Sequence, residues 1–347
     1  MPTSTSGPGG RPEGDLAAAL DRFPRVALAT LPTPLEMAPR LSAELGAEVW
    51  IKRDDLTGLG LGGNKVRKLE FLLGAARTEG CDTVVTFGAL QSNHARQTAA
   101  ACARLGLRCE LVLTRAVPRD GEAYLHGGNV LLDELFGARC TVVANDDDEL
   151  TGAVDMVLAR VRDRGGRARW IPPGGSDAVG SLGYVAAGLE LAAQAADAGI
   201  SPSDVVLGVS TGGTHAGLLV GLRAAGWDGA VRGVAVYRDA GRTWTAVTDL
   251  VDALDDLLGT ATPSDAVDVS DRFRGPGYGI PTVGMADAVR TVARAEGIAL
   301  DPVYSGKAAD GLVTWCRERG LGGGPVVFVH TGGAPGLFAY PDVFPGA

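Results

Sequence analysis

Lys65 is the residue whose type and surroundings most clearly indicate chemistry in this chain. It ends the segment Gly62-Gly63-Asn64-Lys65 and comes just before a helix-like run that starts at Val66. Glycines of this kind suit a lysine that must reach a bound molecule, because they let the backbone approach it closely. Lysine amines form Schiff bases with carbonyl groups, and burial lowers the amine pKa from about 10.4 so that it becomes a nucleophile. The alternative is a surface lysine that precedes a basic helical turn.

A second glycine-rich segment, Ser210-Thr211-Gly212-Gly213-Thr214, lies between a predicted strand, Asp204 to Val209, and a predicted helix, Thr214 to Ala225. The first N–H groups of a helix lack partners inside the helix, and with the positive end of the helix dipole they bind phosphate. Gly212 and Gly213 let the backbone approach an anion, and the three hydroxyl side chains add donors. The GxGxxG spacing of a dinucleotide turn is missing. The segment therefore predicts a phosphate-binding loop, and the alternative is a turn without function.

A third turn, His330-Thr331-Gly332-Gly333, ends the predicted strand Pro325 to His330. An attachment lysine, a phosphate cradle and a support for a ring are the parts of a pyridoxal phosphate site. The three glycine-rich segments together therefore predict this cofactor. The four histidines lack metal-ligand spacing, so we expect no metal site, and His126 and His215 are interpreted as structural.

The segment Gln91-Ser92-Asn93-His94-Ala95-Arg96 stands at another predicted strand-to-helix turn, between the strand Thr83 to Phe87 and the helix Asn93 to Leu105. Its exposed donors suit a substrate carboxylate. When the motif is taken by itself, ordinary capping of the helix by the serine or the asparagine is the favoured explanation. His94 alone is more often structural than catalytic.

Two tyrosines have unusual neighbours. Tyr278 lies in Gly275-Pro276-Gly277-Tyr278-Gly279, and Tyr304 lies in the segment Asp301 to Lys307. A tyrosine between glycines in a stretch without periodicity is seldom part of a core. Its phenol can take part in proton transfer, or it can anchor a loop. Both explanations are open from the local sequence.

The composition of the 347 residues is that of an α/β enzyme with two lobes: 46% are hydrophobic, 5% are aromatic, and 51 are glycine. The net charge of −9 argues against a nucleic-acid or anionic-membrane partner. No apolar run reaches the roughly 20 residues that span a bilayer. Five cysteines without CxxC pairing predict a reduced, cytoplasmic protein.

The predicted strands and helices that must position these residues alternate from Val66 onward, which indicates a parallel sheet with helices on both faces. Residues 1–14 are predicted to form a disordered tail. A Pro/Gly-rich segment at 171–176 marks a domain crossing. We expect a larger cofactor-binding domain over 15–64 and 177–347 and a smaller domain over 65–176. The acidic clusters at 146–149 and 252–256 are interpreted as solvated helix starts.

Several motifs, taken in order, resemble the pyridoxal phosphate-dependent family of D-cysteine desulfhydrase and 1-aminocyclopropane-1-carboxylate (ACC) deaminase. The resemblance runs from about Leu31 to Tyr340. One such motif is weak, whereas seven in order are specific. The segments that carry it are Lys52 to Leu59, Gly62 to Glu70, Gln91 to Arg96, Pro173 to Ser176, Gly275 to Gly279, Leu300 to Lys307 and Val329 to Pro335.

The resemblance implies a tryptophan synthase β-like fold, fold type II, with a mainly parallel sheet in each lobe, and a homodimer. It implies that Lys65 attaches the cofactor and that the freed lysine removes the substrate Cα proton. Asn93 would bind the ring hydroxyl, the loop Ser210 to Thr214 the phosphate, and Thr331 would face the ring nitrogen. The substrate residues implied by the resemblance are Ser92, Asn93, His94, Tyr278 and Tyr304, of which Ser92 and both tyrosines are also expected to be catalytic.

Three departures from the deaminase branch favour the desulfhydrase branch: Ser305 stands where that branch has glutamate, His94 where it usually has glutamine, and Gly277 where it has glutamate. The resemblance therefore implies β-elimination from a small amino acid, D-cysteine first, to pyruvate, sulfide and ammonia. ACC deamination, L-cysteate sulfo-lysis and another β-elimination or β-replacement stay open. A non-catalytic protein that binds pyridoxal phosphate or amino acids is a remote alternative.

Overall fold

The computed structural model describes residues 13–345. Residues 1–12 of the predicted tail lie outside the described residues. A helix begins at Glu13, two residues before the predicted end of the tail is passed.

Helices and strands alternate along most of the described chain. The helices are α1 (Glu13–Leu20), α2 (Pro39–Leu45), α3 (Lys65–Thr78), α4 (Asn93–Leu105), α5 (Glu122–His126), α6 (Gly128–Leu135), α7 (Asp147–Asp163), α8 (Ala178–Asp197), α9 (Gly213–Ala224), α10 (Ala240–Leu258), α11 (Val283–Glu296), α12 (Ser305–Glu318) and α13 (Ala334–Leu337). The strands are β1 (Leu35–Met37), β2 (Val49–Lys52), β3 (Thr83–Ala89), β4 (Arg108–Thr114), β5 (Arg139–Val143), β6 (Ala168–Trp170), β7 (Asp204–Val209), β8 (Ala230–Ala235), β9 (Val267–Ser270) and β10 (Val326–Val329).

The strands form two sheets. The larger has the order β1-β2-β10-β7-β8-β9, and the smaller has the order β5-β4-β3-β6. All neighbouring pairs are parallel except β1 with β2. The carboxyl ends of β2, β10 and β7 therefore meet at one edge, where loops leave the sheet, and this is the edge at which α/β folds bind ligands.

Helices α8 and α9 show how glycine lets two helices approach. A Cβ added to Gly188 would lie 2.8 Å from the Cα of Gly221. The buried side chains of both helices join β7 and β10 in one apolar core, which includes Leu182, Leu219 and Val327. This contact holds the start of α9, and with it the glycine-rich segment before it, firmly against the larger sheet.

The predicted α/β architecture with parallel sheets and flanking helices is confirmed. The acidic run at 146–149 does begin a helix, with Asp146 as its cap. The interpretation of 252–256 as a helix start is wrong, because these residues lie in the second half of α10. Strands β3 to β6 fall within the range 65–176, and the domain boundaries at 64 and 176 stay predictions.

Candidate active site

A cavity of about 340 Å³ opens at the carboxyl ends of the strands, and residues from the lysine turn, the glycine-rich loops, the start of α4 and both tyrosine segments line it. The predicted site residues in its wall are Lys65, Ser92, Asn93, His94, Ser210, Thr211, Gly212, Thr214, Tyr278, Tyr304 and Thr331. Gly213 does not line the cavity and lies behind the loop as the first residue of α9. The structure thus brings together side chains that are up to 266 residues apart in the sequence, such as Lys65 and Thr331.

Lys65 is the first residue of α3, so its side chain leaves the helix at the cavity wall. Its Nζ donates to Asn64 Oδ1 at 3.0 Å. Burial lowers the pKa of the Lys65 amine to about 8, although the nearby Asp301 carboxylate acts in the opposite direction. About a tenth of the amine is therefore uncharged and nucleophilic at pH 7, far more than for an exposed lysine.

The turn before Lys65 requires glycine for steric reasons. Gly62 has a φ of +69°, and a Cβ there would lie 1.9 Å from the carbonyl oxygen of Asp55. A Cβ on Gly332 would lie 2.7 Å from the Cα of Gly63. The Asn64 N–H donates to the Thr331 carbonyl at 3.0 Å. These close contacts fix the lysine turn against the turn of Thr331, which places the Thr331 hydroxyl in the same cavity.

An anion-binding group of donors lies at the start of α9. The buried Lys68 Nζ donates to Ser176 Oγ at 2.9 Å, and Ser176 Oγ is 2.6 Å from Thr211 Oγ1. A Cβ on Gly213 would lie 2.7 Å from both Lys68 Nζ and Ser181 Oγ. Ser181 Oγ is buried and has no hydrogen-bond partner within the described chain. Burial, and then the charge of Lys65, hold the pKa of Lys68 well below its usual range.

This donor set fits the phosphate of pyridoxal phosphate. Helix N–H groups, hydroxyls and one lysine bind a phosphate well, and a dianion beside Lys68 would restore the lysine's charged form. The residues that would hold the cofactor are Lys65, Lys68, Asn93, Ser210, Thr211, Gly212, Thr214 and Thr331, with the backbone of Gly213 behind them.

The start of α4 forms another wall. Ser92 caps this helix, and its Oγ accepts from the Ala95 N–H at 3.2 Å. The Asn93 Oδ1 accepts from Asn129 Nδ2 at 3.0 Å, which leaves the Asn93 Nδ2 free to donate. Asn129 is fully buried and also donates to the Gln91 carbonyl at 3.0 Å. Asn129 therefore fixes which atom of Asn93 can act as the donor.

His94 lies in the cavity wall as a neutral ring. Thr86 Oγ1 donates to the Ile171 carbonyl at 2.8 Å, so in its 2.9 Å contact with His94 it accepts from Nε2. The other ring nitrogen, Nδ1, then carries a lone pair, and it is buried without a partner among residues 13–345. Burial and the neighbouring Lys65 and Lys68 hold the His94 pKa well below its usual range. This geometry gives His94 no donor for a substrate carboxylate, although a contact with the substrate stays a prediction.

Tyr278 and Tyr304 form a hydroxyl pair, with the two Oη atoms hydrogen-bonded to each other and the ring centroids 6.0 Å apart. Burial raises the pKa of both phenols, so both are protonated at neutral pH. Tyr304 immediately precedes α12, whose start is held by the buried Asp301. This carboxylate accepts from the N–H of Tyr304 at 2.9 Å and from the N–H and the Oγ of Ser305 at 2.8 Å and 2.6 Å.

Three residues were not predicted as part of the site from the sequence: Lys68, Asn129 and Asp301. Lys68 could have been found, because it lies one helical turn after Lys65 and must share its face. Asn129 and Asp301 could not, since nothing in the local sequence indicates their partners. Of the two histidines interpreted as structural, His126 is exposed, whereas His215 is buried and lines the cavity. Burial lowers the pKa of His215 to about 4.

Within residues 13–345 no group of three or more His, Cys, Asp or Glu side chains is placed to hold a metal ion. No helix in the same range combines the length and the apolar character needed to cross a bilayer.

Comparison with known proteins gives relatives over nearly the whole chain. Residues 26–332 match the profile of the family described as pyridoxal-phosphate dependent enzymes. The D-cysteine desulfhydrase of Salmonella choleraesuis (strain SC-B67) is 44% identical over 325 residues, which are 92% of this chain and 97% of that protein. The D-cysteine desulfhydrase of Salmonella paratyphi C (strain RKS4594) gives the same identity and coverage.

Solved structures agree in fold. An ACC deaminase homologue is 40% identical and has a TM-score of 0.86, with 94% of this chain and 97% of that chain covered. A fungal L-serine ammonia-lyase from Rhizomucor miehei, at 20% identity and a TM-score of 0.66, covers 91% of this chain and 99% of its own and shares the fold alone. The predicted resemblance, fold type II and cofactor are thereby confirmed. The chain belongs to the family of pyridoxal-phosphate dependent enzymes.

Proposed function

We propose that this enzyme catalyses β-elimination of D-cysteine to pyruvate, sulfide and ammonia. The observation that carries the proposal is the hydroxyl pair of Tyr278 and Tyr304, which lines the same cavity as Lys65. A base at one side of a small amino acid and an acid at the other are what elimination of a β-substituent needs. The relatives named D-cysteine desulfhydrase, 44% identical, support the choice of substrate.

Lys65 acts as the base. When bound, pyridoxal phosphate supplies an electron-withdrawing ring that stabilises negative charge at the substrate Cα. The Lys65 amine, with a pKa lowered to about 8, takes the proton from Cα onto its Nζ. The N–H groups and the Ser92 hydroxyl at the start of α4 bind the substrate carboxylate. Together these contacts set which Cα bond faces the lysine.

The tyrosine pair acts on the leaving group. As the Cβ–S bond breaks, its electron pair goes to sulfur, and a phenol proton from Tyr304 Oη moves to the sulfur. Tyr278 Oη, bonded to Tyr304 Oη, stabilises the phenolate that forms. The three-carbon product is released as 2-aminoacrylate, which water converts to pyruvate and ammonia. Lys65 Nζ gives its proton to solvent and Tyr304 Oη takes one from solvent, so that both groups are restored before the next turnover.

The serine at position 305 favours elimination over cyclopropane ring opening. It stands where the deaminase branch has glutamate, and its hydroxyl donates to the Asp301 carboxylate at 2.6 Å. Ser305 is buried and does not line the cavity. Position 305, next to Tyr304, therefore supplies no carboxylic acid to the cavity.

The test is to supply purified protein and pyridoxal phosphate with D-cysteine, L-cysteine, L-cysteate and ACC in parallel. We expect equal amounts of pyruvate and sulfide from D-cysteine. Sulfite from L-cysteate or 2-oxobutanoate from ACC as the faster product would overturn the choice of substrate. Bound amino acid without any product would indicate a binding protein. Tyr304→Phe should slow elimination, whereas Tyr237→Phe, whose ring packs edge-on against Tyr278 at 5.3 Å, is the matched control.

We also infer a homodimer. Large apolar side chains are exposed around a second cavity on the far side of the Thr331 turn, among them Leu61 (64% exposed), Leu131 (55%) and Phe338 (72%). Apolar surface of this kind commonly marks a protein interface. The resemblance to a family of homodimers supports a second copy of this chain as the occupant. Light scattering should give twice the mass of the 35.5 kDa chain, and Phe338→Asp should give the monomer. Val283→Asp, at a site that is 80% exposed outside this patch, should leave the dimer intact.

We infer that the enzyme works in the cytoplasm. All five cysteines lie in the described part of the chain and none forms a disulfide, which fits a reducing compartment. Alkylation in freshly broken cells of the source should find five free thiols, and a disulfide would contradict the inference.

A further inference from the structure

Lys307 is a buried lysine outside the cavity wall. It is fully buried on α12, one turn after Tyr304. Its Nζ donates to the carbonyl oxygens of Arg274 at 2.5 Å and Gly277 at 3.0 Å. Among the described residues it has no ion pair with a carboxylate.

The partners of Lys307 belong to the loop that carries Tyr278. The two carbonyls lie four residues and one residue before Tyr278, and glycines with φ of +69° and +70°, Gly275 and Gly279, bend the loop on either side. Such glycines make a loop mobile unless other contacts hold it. A buried ammonium group is costly unless its N–H donors have acceptors. The two carbonyls meet this need, so Lys307 and the loop hold each other in place.

One helix therefore controls both members of the hydroxyl pair. Tyr304 stands directly at the start of α12, whereas the backbone of the loop that carries Tyr278 is tied to α12 through Lys307. Lys307 and Tyr304 are three positions apart and lie on neighbouring parts of the same helix surface. A shift of the loop would move the Tyr278 hydroxyl relative to the Tyr304 hydroxyl, and displacements of about 1 Å at a reacting group can lower rates by about 100-fold.

We propose that Lys307 is a positioning residue that holds the Tyr278 loop so that the two tyrosine hydroxyls meet over the leaving group. The inference rests on the proposed function, since it assigns the pair to departure of the β-substituent. Lys307 acts through the loop and does not touch the substrate. It governs the step after removal of the Cα proton, because Lys65 begins α3 and bonds to Asn64, and neither residue is part of the loop.

The experiment separates the two steps. In deuterated water, exchange of the Cα hydrogen of D-cysteine reports proton removal at Lys65, and pyruvate reports departure of sulfur. We expect Lys307→Met to lower pyruvate formation about 10- to 100-fold while exchange changes less than about threefold. Lys307→Gln keeps an N–H donor and should recover part of the loss. Thr314→Val, on the same helix away from the loop, should behave as the wild type.

A second readout does not depend on activity. Trypsin should cut after Arg274 in Lys307→Met faster than in the wild type or Thr314→Val, because the loop is released. Tyr278→Phe should show the same ratio of exchange to elimination as Lys307→Met but no added cleavage. Equal loss of exchange and elimination, or unchanged elimination, in both the Met and the Gln variants would overturn the proposal. Absence of pyruvate from the wild type would instead refute the proposed function, and the cleavage test would still decide whether Lys307 holds the loop.

Discussion

The first turn of α3 serves two regions of opposite character. Lys65 lines the cavity and Lys68 reaches Ser176, which bonds to Thr211 in the cavity wall, whereas Arg67, between them, enters a buried ion-pair network. Arg67 donates to Asp54 at 2.9 Å and 3.0 Å and to Glu190 at 2.8 Å and 3.0 Å. Burial leaves both lysines with a lowered pKa, while the carboxylates around Arg67 hold its pKa above the usual range.

The ion-pair network satisfies each charge that it buries. Lys52 Nζ binds Glu190, the Thr33 carbonyl at 2.8 Å and Gln194 Oε1 at 2.6 Å. Tyr184 Oη adds a 2.5 Å bond to Asp54. The cations near them hold the pKa of both Asp54 and Glu190 below the usual range. A network of this kind is stable while complete and costly when one partner is removed.

The cavity lacks this balance. Lys65 and Lys68 have hydroxyl, amide and carbonyl partners, but within the described part of the chain neither forms an ion pair with a carboxylate. Because Lys68 has no carboxylate partner, an anionic ligand beside it would favour its charged form. The lowered pKa of Lys65 favours its free amine. The comparison teaches that complete pairing marks the part of this molecule that holds the fold, and incomplete pairing marks the part that binds and reacts.

The largest expected effect breaks the reactive side of the comparison. Lys65→Ala should lower kcat by at least about 10³-fold and remove the yellow colour of the bound cofactor, because the attachment and the base are lost together. The free energy of unfolding should not fall, since Lys65 supports no ion pair among the described residues. Absorbance, pyruvate release and urea unfolding measure the three quantities. Retained turnover would contradict the assignment of Lys65.

The next effect breaks the structural side. Arg67→Met should lower the free energy of unfolding by about 3–5 kcal/mol, because it leaves Asp54 buried without its ion-pair partner and Glu190 with Lys52 alone. Adding Asp54→Asn should recover part of this loss, and double-mutant analysis of urea unfolding measures the coupling. If Arg67→Met were as stable as the wild type, the network would not hold the fold.

Short sequence patterns predicted the positions of individual strands and helices well. The strand Asp204–Val209 and the helix Asn93–Leu105 are found at the predicted residues. For the helix, Ser92 supplies the cap at its start, as the sequence indicated, and Gly106 ends it in the structure. Helix α10 was missed, although Val247, Val251, Leu254 and Leu258 carry a helical spacing that indicates it.

Long-range pairing could not be predicted. Strand β1 has three residues and exists because it pairs with β2. Arg67 meets Glu190 across 123 residues, and Lys307 meets Gly277 across 30. A single sequence shows that such side chains are charged but not which partners the fold brings to them. The candidate site was therefore predicted as motifs, while the residues that hold those motifs in place were found only in the structure.

A smaller effect sharpens the reactive side. Lys68→Met should weaken cofactor binding by about 10- to 100-fold, because one charge-assisted contact to a phosphate is lost. Excess pyridoxal phosphate should restore much of kcat, which it cannot do for Lys65→Ala. Titration of the cofactor, followed by absorbance, gives the dissociation constant. Loss of kcat at saturating cofactor would show that Lys68 also takes part in the reaction.

The smallest effect compares the two regions through pH. In the cofactor-free protein, Lys65 loses its proton near pH 8 in the folded state, whereas the unfolded chain keeps it up to 10.5. Between these values the unfolded state binds more protons, so this lysine makes the free energy of unfolding rise with pH. Lys65→Met should therefore be more stable than the wild type, by about 1 kcal/mol near pH 9.5, and the difference should shrink further as the pH approaches the unfolded value. Asp54 affects stability in the acidic range, because its pKa is lowered in the folded state. Its stabilisation is complete above its unfolded pKa and is lost as the pH falls through its folded pKa. Urea unfolding of both proteins across the alkaline range measures the difference, and a constant gap would mean that the charge on Lys65 is not what distinguishes the cavity from the network.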